Sequence, residues 1–182
     1  GGRLSLEELL QMLVLLLVAG SGTTTNLIGN AMLEFMAHPA ELAKVEADRS
    51  LIPSALEEVL RVSSPVQATV RRAARDIDVS GQRIDEGQRL VVWLAAANRD
   101  PEQFPDPLTF DVARTPNRHI SFGMGIHFCL GAPLARLEAK IAWEELLKRA
   151  TNFRLVTDAP LQRVPTFIMR GVTSLPVAFD PR

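Results

Sequence analysis

Apolar residues crowd nearly every face of a helical period from Leu9 onward, just after Ser5 and Glu8 stand at the spacing of a capping box. The pattern predicts a helix that starts at Ser5, crosses a core and runs to about Ala37. Pro39 breaks it, and alternating apolar and charged residues predict a short helix over 40–49. Pro53 sits where a first turn tolerates proline and opens a helix to about Val62. After Pro65 the period shortens to two. Runs at 66–73, 77–79, 82–84 and 89–93 are rich in β-branched residues and separated by Asp and Gly, which predicts the strands of small sheets. Residues 98–117 hold Pro101, Pro105, Pro107 and Pro116 without periodicity and are expected to form an ordered, irregular meander. Helical spacing returns from Gly131 to Lys148, and short strands are expected over 153–156, 165–169 and 173–179. The fold class is therefore α+β, mainly α with small β-sheets.

Composition narrows the functions open to such a fold. The chain has 182 residues, with 20 Lys and Arg against 21 Asp and Glu and a net charge of −1. That balance carries no electrostatic footprint for nucleic acid or an anionic lipid surface. The apolar run 9–19 contains Gln11, stops at Gly20 and falls short of the roughly 20 residues of a membrane span. It is expected to be a core helix with no membrane partner. No signal peptide is recognisable at the amino end.

A single cysteine, Cys129, excludes an intramolecular disulfide framework and a multi-cysteine metal cluster. It points to a reducing, cytoplasmic setting or to one specialised thiol. Residues 122–131 read FGMGIHFCLG, a glycine-rich loop just ahead of a helix. A thiolate there gains from the helix dipole and free amides, and the glycines let backbone approach a flat ligand. Zinc is a poor match, since His127 is the only other soft ligand nearby and no second pair follows. The C-x-x-C-H of covalent haem attachment is also missing. Cys/His nucleophilic catalysis stays open, because His38, His119 and His127 are available, although nothing in the sequence pairs one of them with Cys129.

The pattern F-x-x-G-x-x-x-C-x-G, filled by Phe122, Gly125, Cys129 and Gly131, resembles the cysteine-loop signature of the cytochromes P450. The resemblance implies that Cys129 is the proximal thiolate ligand of a haem b iron, with Gly123 among the cradle residues. Glu58 and Arg61 resemble the family's E-x-x-R, which on spacing alone would be an ordinary helix ion pair. Arg114 matches the meander arginine that completes a structural triad. Arg71 and His127 match positions that hold haem propionates; neighbouring Arg72 is the other candidate, strand alternation turning one of the two outward, and Arg71 is favoured.

The stretch AGSGTT at residues 19–24 resembles the oxygen-binding segment A-G-x-[DE]-T-T. Gly20 and Thr23 are expected to line the oxygen pocket, with Thr24 able to substitute in part. Two glycines in one helix, at roughly 1 kcal/mol each relative to alanine, suggest a local opening or a ligand's close approach. Gly22 departs from the family, which carries an acid there to relay protons. Substrate-facing positions implied by the resemblance are Val18, Ser21, Val66, Gln67, Ala68, Thr69 and the segment 166–168 with Phe167. They are mainly apolar and suit an apolar small molecule.

The resemblance covers essentially the whole chain and implies the C-terminal part of the cytochrome P450 fold, with about half of that fold lying before Gly1. It implies a monooxygenase that inserts one atom of O2 into an organic substrate, with electrons from NAD(P)H through a ferredoxin and a ferredoxin reductase-type donor. Gly22 keeps two other readings in view: a peroxide-dependent haem-thiolate enzyme, and a haem-binding fragment without turnover.

Overall fold

The computed structural model describes residues 3–182. Helix α1 (Leu6–Ala37) starts where the capping box predicts. The Glu8 amide donates to Ser5 Oγ at 3.2 Å, and the Ser5 amide donates to the Glu8 carboxylate at 2.8 Å. The helix then runs 32 residues without a break, so the local opening expected at Gly20 and Gly22 does not occur. A side chain at either glycine would meet open space; no other element presses on the helix there, and its hydrogen-bond ladder closes normally.

Burial along α1 departs from expectation as well. Residues 9–19 were expected to be core, yet Leu9, Leu10, Leu13, Leu15, Leu17 and Val18 are all exposed, Leu17 by 72%. Only the second half, with Thr24, Leu27, Asn30, Ala31, Met32 and Phe35, is buried. The reason lies in what faces each half. Leu27, Ala31 and Phe35 recur every four residues and form one stripe against the helices at Ile52–Val62 and Ala132–Arg149, whereas the earlier turns have no described neighbour to cover them. By length and apolarity α1 is also sufficient to cross a membrane, with a stretch of mean hydropathy 1.6. Its second half is nonetheless built into the core.

Helix α2 (Pro39–Ala47) begins on the proline itself, which occupies the first turn where its missing N–H costs nothing. A 3-10 turn at Arg49–Leu51 leads into α3 (Ile52–Val62), which buries Ile52, Ala55, Leu56, Val59 and Leu60 together with Glu58 and Arg61. Helix α5 (Ala132–Arg149) buries Ala139, Trp143 and Leu147 at steps of four. Trp143 meets Phe35 edge-on, with ring centroids 4.7 Å apart, so α1, α3 and α5 share one core.

The described residues form three two-stranded antiparallel sheets: β1 (Ala68–Arg72) with β4 (Arg89–Trp93), β2 (Ile77–Val79) with β3 (Gln82–Ile84), and β5 (Ala150–Leu155) with β6 (Val177–Pro181). Ser80 and Gly81 join β2 to β3 with positive φ at both positions, as a tight hairpin requires. The expected strand over 165–169 reduces to one bridge between Met169 and Val66, because no continuous partner strand runs beside it. The strand expected over 173–179 forms only at Val177–Pro181. Helix α4 (Leu94–Ala97), unforeseen in the pattern, follows β4 directly, where the alanines at 95–97 favour helix once sheet pairing ends. Residues 98–117 form the expected meander of turns. Helix-rich with small antiparallel sheets, the architecture agrees with the expected fold class.

Candidate functional site

The segment 122–131 closes on itself before α5 begins. Gly123 donates to the Ile120 carbonyl at 2.8 Å and adopts φ +75°, and Gly125 adopts φ +61° at the head of a 3-10 turn, Gly125–His127. A Cβ at Gly123 would approach the His127 carbonyl to 3.2 Å, so both conformation and space favour glycine there. The Cys129 amide donates to the Phe122 carbonyl at 2.8 Å, and the Cys129 carbonyl accepts from the Ala132 amide at 3.2 Å. The loop thus delivers Cys129 two residues ahead of Gly131, the N-cap of α5, with its thiol free and exposed.

A buried charge cluster on α3 faces the meander that leads to the loop. Arg61 donates Nε and Nη2 to the two oxygens of Glu58, both at 2.8 Å, and neither side chain is exposed. Its remaining donors reach the carbonyls of Asn98, Pro107 and Thr109. Glu58 also accepts from Arg114 Nε at 3.1 Å, from Asn117 Nδ2 at 3.0 Å and from the Asp111 amide at 3.1 Å. One carboxylate is shared by two guanidinium groups, and the cluster's donors pin the meander to α3. Sequence reasoning missed Asn98, which is fully buried. Its Oδ1 accepts from the Ile120 amide and its Nδ2 donates to Ser121 Oγ, both at 2.8 Å, so it anchors the approach to the cysteine loop. Its placement just after an apolar strand and ahead of a proline-rich stretch was the available signal.

Of the two adjacent arginines, Arg72 lies on the same face of β1 as Val70 and donates to the Gly87 carbonyl at 3.0 Å. Arg71 lies on the face of Thr69 and donates to its Oγ1 at 2.8 Å and to the Val70 carbonyl at 2.9 Å. Among the described residues neither arginine, nor His127, takes part in an ion pair.

On α1, Thr23 Oγ1 donates to the Ala19 carbonyl at 2.7 Å, Thr24 is buried, and Gly20, Ser21 and Gly22 are exposed. Val18 stands on the open apolar stretch. The segments 66–69 and 166–168 lie side by side, the Gln67 amide donating to the Ile168 carbonyl at 2.8 Å. Phe167 is exposed beside Trp93, with ring centroids 6.0 Å apart. Val66, Gln67 and Thr69 are half-buried, but Ala68 is only 2% exposed. Strand alternation turns it inward, to the face opposite Thr69.

A flat, thiolate-ligated group suits this arrangement. The lone thiol is accessible, two positive-φ glycines precede it, and Ile126, Phe128 and Leu130 around it are exposed apolar surface. Residues 1–177 match the family model described as Cytochrome P450. The chain belongs to the cytochrome P450 family. Among relatives of this P450 chain, Cytochrome P450 monooxygenase PikC of Streptomyces venezuelae is 48% identical over 97% of the chain and 43% of its own length. Vitamin D(3) 25-hydroxylase of Pseudonocardia autotrophica is 45% identical over 100% of the chain and 46% of its own length. The crystal structure of CYP109E1 from Bacillus megaterium in complex with corticosterone superposes with a TM-score of 0.92 at 41% identity, over 97% of this chain and 48% of that one. The chain thus spans a little under half the length of these relatives. Membership in the family implies a haem cofactor.

Proposed function

We propose that this chain is the proximal and C-terminal portion of a haem-thiolate monooxygenase, with Cys129 as the ligand of a haem b iron. The observation that carries the reading is the single exposed thiol presented by a closed glycine loop, whose approach is anchored by Asn98 and by a meander that the buried cluster of Glu58, Arg61 and Arg114 pins to α3. When bound, the haem supplies reductive activation of O2, so that one oxygen atom enters an organic substrate and the other leaves as water. The chain's residues do the rest. Phe122, Gly123, Gly125 and Gly131 shape the bed for the ring, and Arg71 and His127 hold its carboxylates through charge-assisted hydrogen bonds. Thr23 releases the Ala19 carbonyl and turns its hydroxyl to hydrogen-bond oxygen beside Gly20, with Thr24 behind it.

Val18, Ser21, Val66, Gln67, Thr69 and Phe167 face an apolar small molecule in this reading. Vitamin D3 and corticosterone, named for two relatives, indicate a bulky apolar skeleton. Electrons come from a ferredoxin and its reductase, and the whole protein works in the cytoplasm. The exposed turns of α1 are then covered by the other half of the haem domain rather than by lipid.

The spectrum of the reduced carbon monoxide complex tests the assignment. A red-shifted Soret band that disappears in Cys129→Ala is expected, and its absence from the parent protein sinks the thiolate reading. Gly22 favours a second reading, a peroxide-driven enzyme, because no carboxylate stands where protons are relayed. Turnover with peroxide but not with O2 and a reductase system selects it, and haem binding without either leaves a non-catalytic haem protein.

A further inference from the structure

A second ionic cluster, distinct from the buried triad, lies between α3, α5 and the approach to the cysteine loop. Arg136 on α5 donates Nε and Nη2 to the two carboxylate oxygens of Glu57 on α3, at 2.7 and 2.8 Å. His119, whose side chain is 3% exposed, shares this carboxylate through Nε2 at 2.9 Å, while its Nδ1 accepts from the Ser121 amide at 3.3 Å. That amide assigns the ring tautomer, leaving Nε2 as the donor to Glu57. One carboxylate therefore ties two helices to the segment entering the loop.

The same guanidinium covers the Phe122 ring, 4.5 Å from its centroid. Phe122 is also the residue whose carbonyl receives the Cys129 amide. Arg136 consequently bears on the thiol through the ring and the backbone it stacks against. An ordinary exposed ion pair has no such stacking and contributes little.

We infer that Arg136 is a positioning residue of the thiolate site: it clamps Phe122 over the cysteine loop and, balanced by Glu57, sets the electrostatic field at Cys129. The inference rests on the haem-thiolate reading above. A cation near the iron stabilises the reduced state, which carries one more electron, and an anion opposes it. Arg136 raises the haem potential and Glu57 lowers it, although the two are partners in one ion pair. A purely structural pair behaves otherwise, since breaking it from either side loosens the same contact.

Midpoint potentials of the haem-loaded protein are measured for Arg136→Met, Glu57→Gln and the double variant, after the reduced carbon monoxide spectrum has established that each retains thiolate ligation. The potential is expected to fall in Arg136→Met, to rise in Glu57→Gln and to return toward the parent value in the double variant. Shifts of the same sign, or none, with the thiolate band intact overturn the inference. Loss of the band from the parent protein overturns the haem-thiolate reading instead. The clamp itself is read without haem, as amide hydrogen exchange at Cys129. Faster exchange is expected in Arg136→Met, and recovery in Arg136→Lys only in part, because lysine keeps the charge without the planar fork. Unchanged exchange in Arg136→Met overturns the clamp.

Discussion

Glu57 and Glu58 are neighbours in sequence and serve different ends, because successive helix positions point about 100° apart. Glu58 turns inward and is fully buried with Arg61; Glu57 turns toward α5 and stays partly exposed. Burial acts to raise the pKa of Glu57, but hydrogen bonds from Arg136 and His119, together with their charges, outweigh it and hold the value at about 2, against an ordinary 4.5. A carboxyl whose pKa is depressed by folding contributes stability that is fully present above the ordinary value and lost as pH falls through the folded one. Urea midpoints are therefore expected to drop between pH 4.5 and 2 in the parent protein, and Glu57→Gln is expected to flatten that part of the profile. Gly22 permits a second test at this scale, since a side chain there meets open space. Gly22→Asp is expected to increase the fraction of electrons recovered in product during O2-driven turnover, with helix content by circular dichroism unchanged.

At the scale of elements, α5 joins the core and the site. Trp143, Ala139 and Leu147 fill the space against α1, while Gly131 and Ala132 at its amino end close the loop that bears Cys129. Trp143 is fully buried against Phe35 and Phe153. Trp143→Ala is expected to cost about 3–5 kcal/mol through lost contact and a residual cavity, measurable by chemical denaturation. Since α5 carries both Trp143 and the loop's exit, weaker haem retention is expected to accompany the loss. The elements were largely legible in the hydrophobic pattern. Helices α1, α3 and α5 and the strands β2, β3 and β4 lie at or within two residues of their expected positions, because capping, proline placement and period are local properties. The strand expected over 165–169 failed because strand formation needs a partner beside it, which no local pattern specifies.

For the whole molecule, the first half of α1 is the uncovered part of the packing. Leu13 and Leu17 are exposed by 53% and 72% on a helix whose second half is core. Contiguous apolar surface of this kind drives association in water. Size-exclusion chromatography of the 182-residue chain is expected to show self-association, and Leu13→Glu with Leu17→Glu is expected to shift it toward monomer without loss of helix. An unaltered elution profile counts against an apolar driving force from this face.

The sequence by itself determined the local devices. The capping box at Ser5, the glycines that admit positive φ at 123 and 125, and the ten-residue spacing around Cys129 depend only on neighbouring residues. Charge partners at a distance were decided by the tertiary structure. Glu58 reaches Arg114 across 56 positions and Glu57 reaches Arg136 across 79, and only the packing of α3 against the meander and α5 brings them together. The same packing separated the two halves of α1. An apolar run states that burial is favourable, but whether a side chain is buried depends on the element that comes to lie against it.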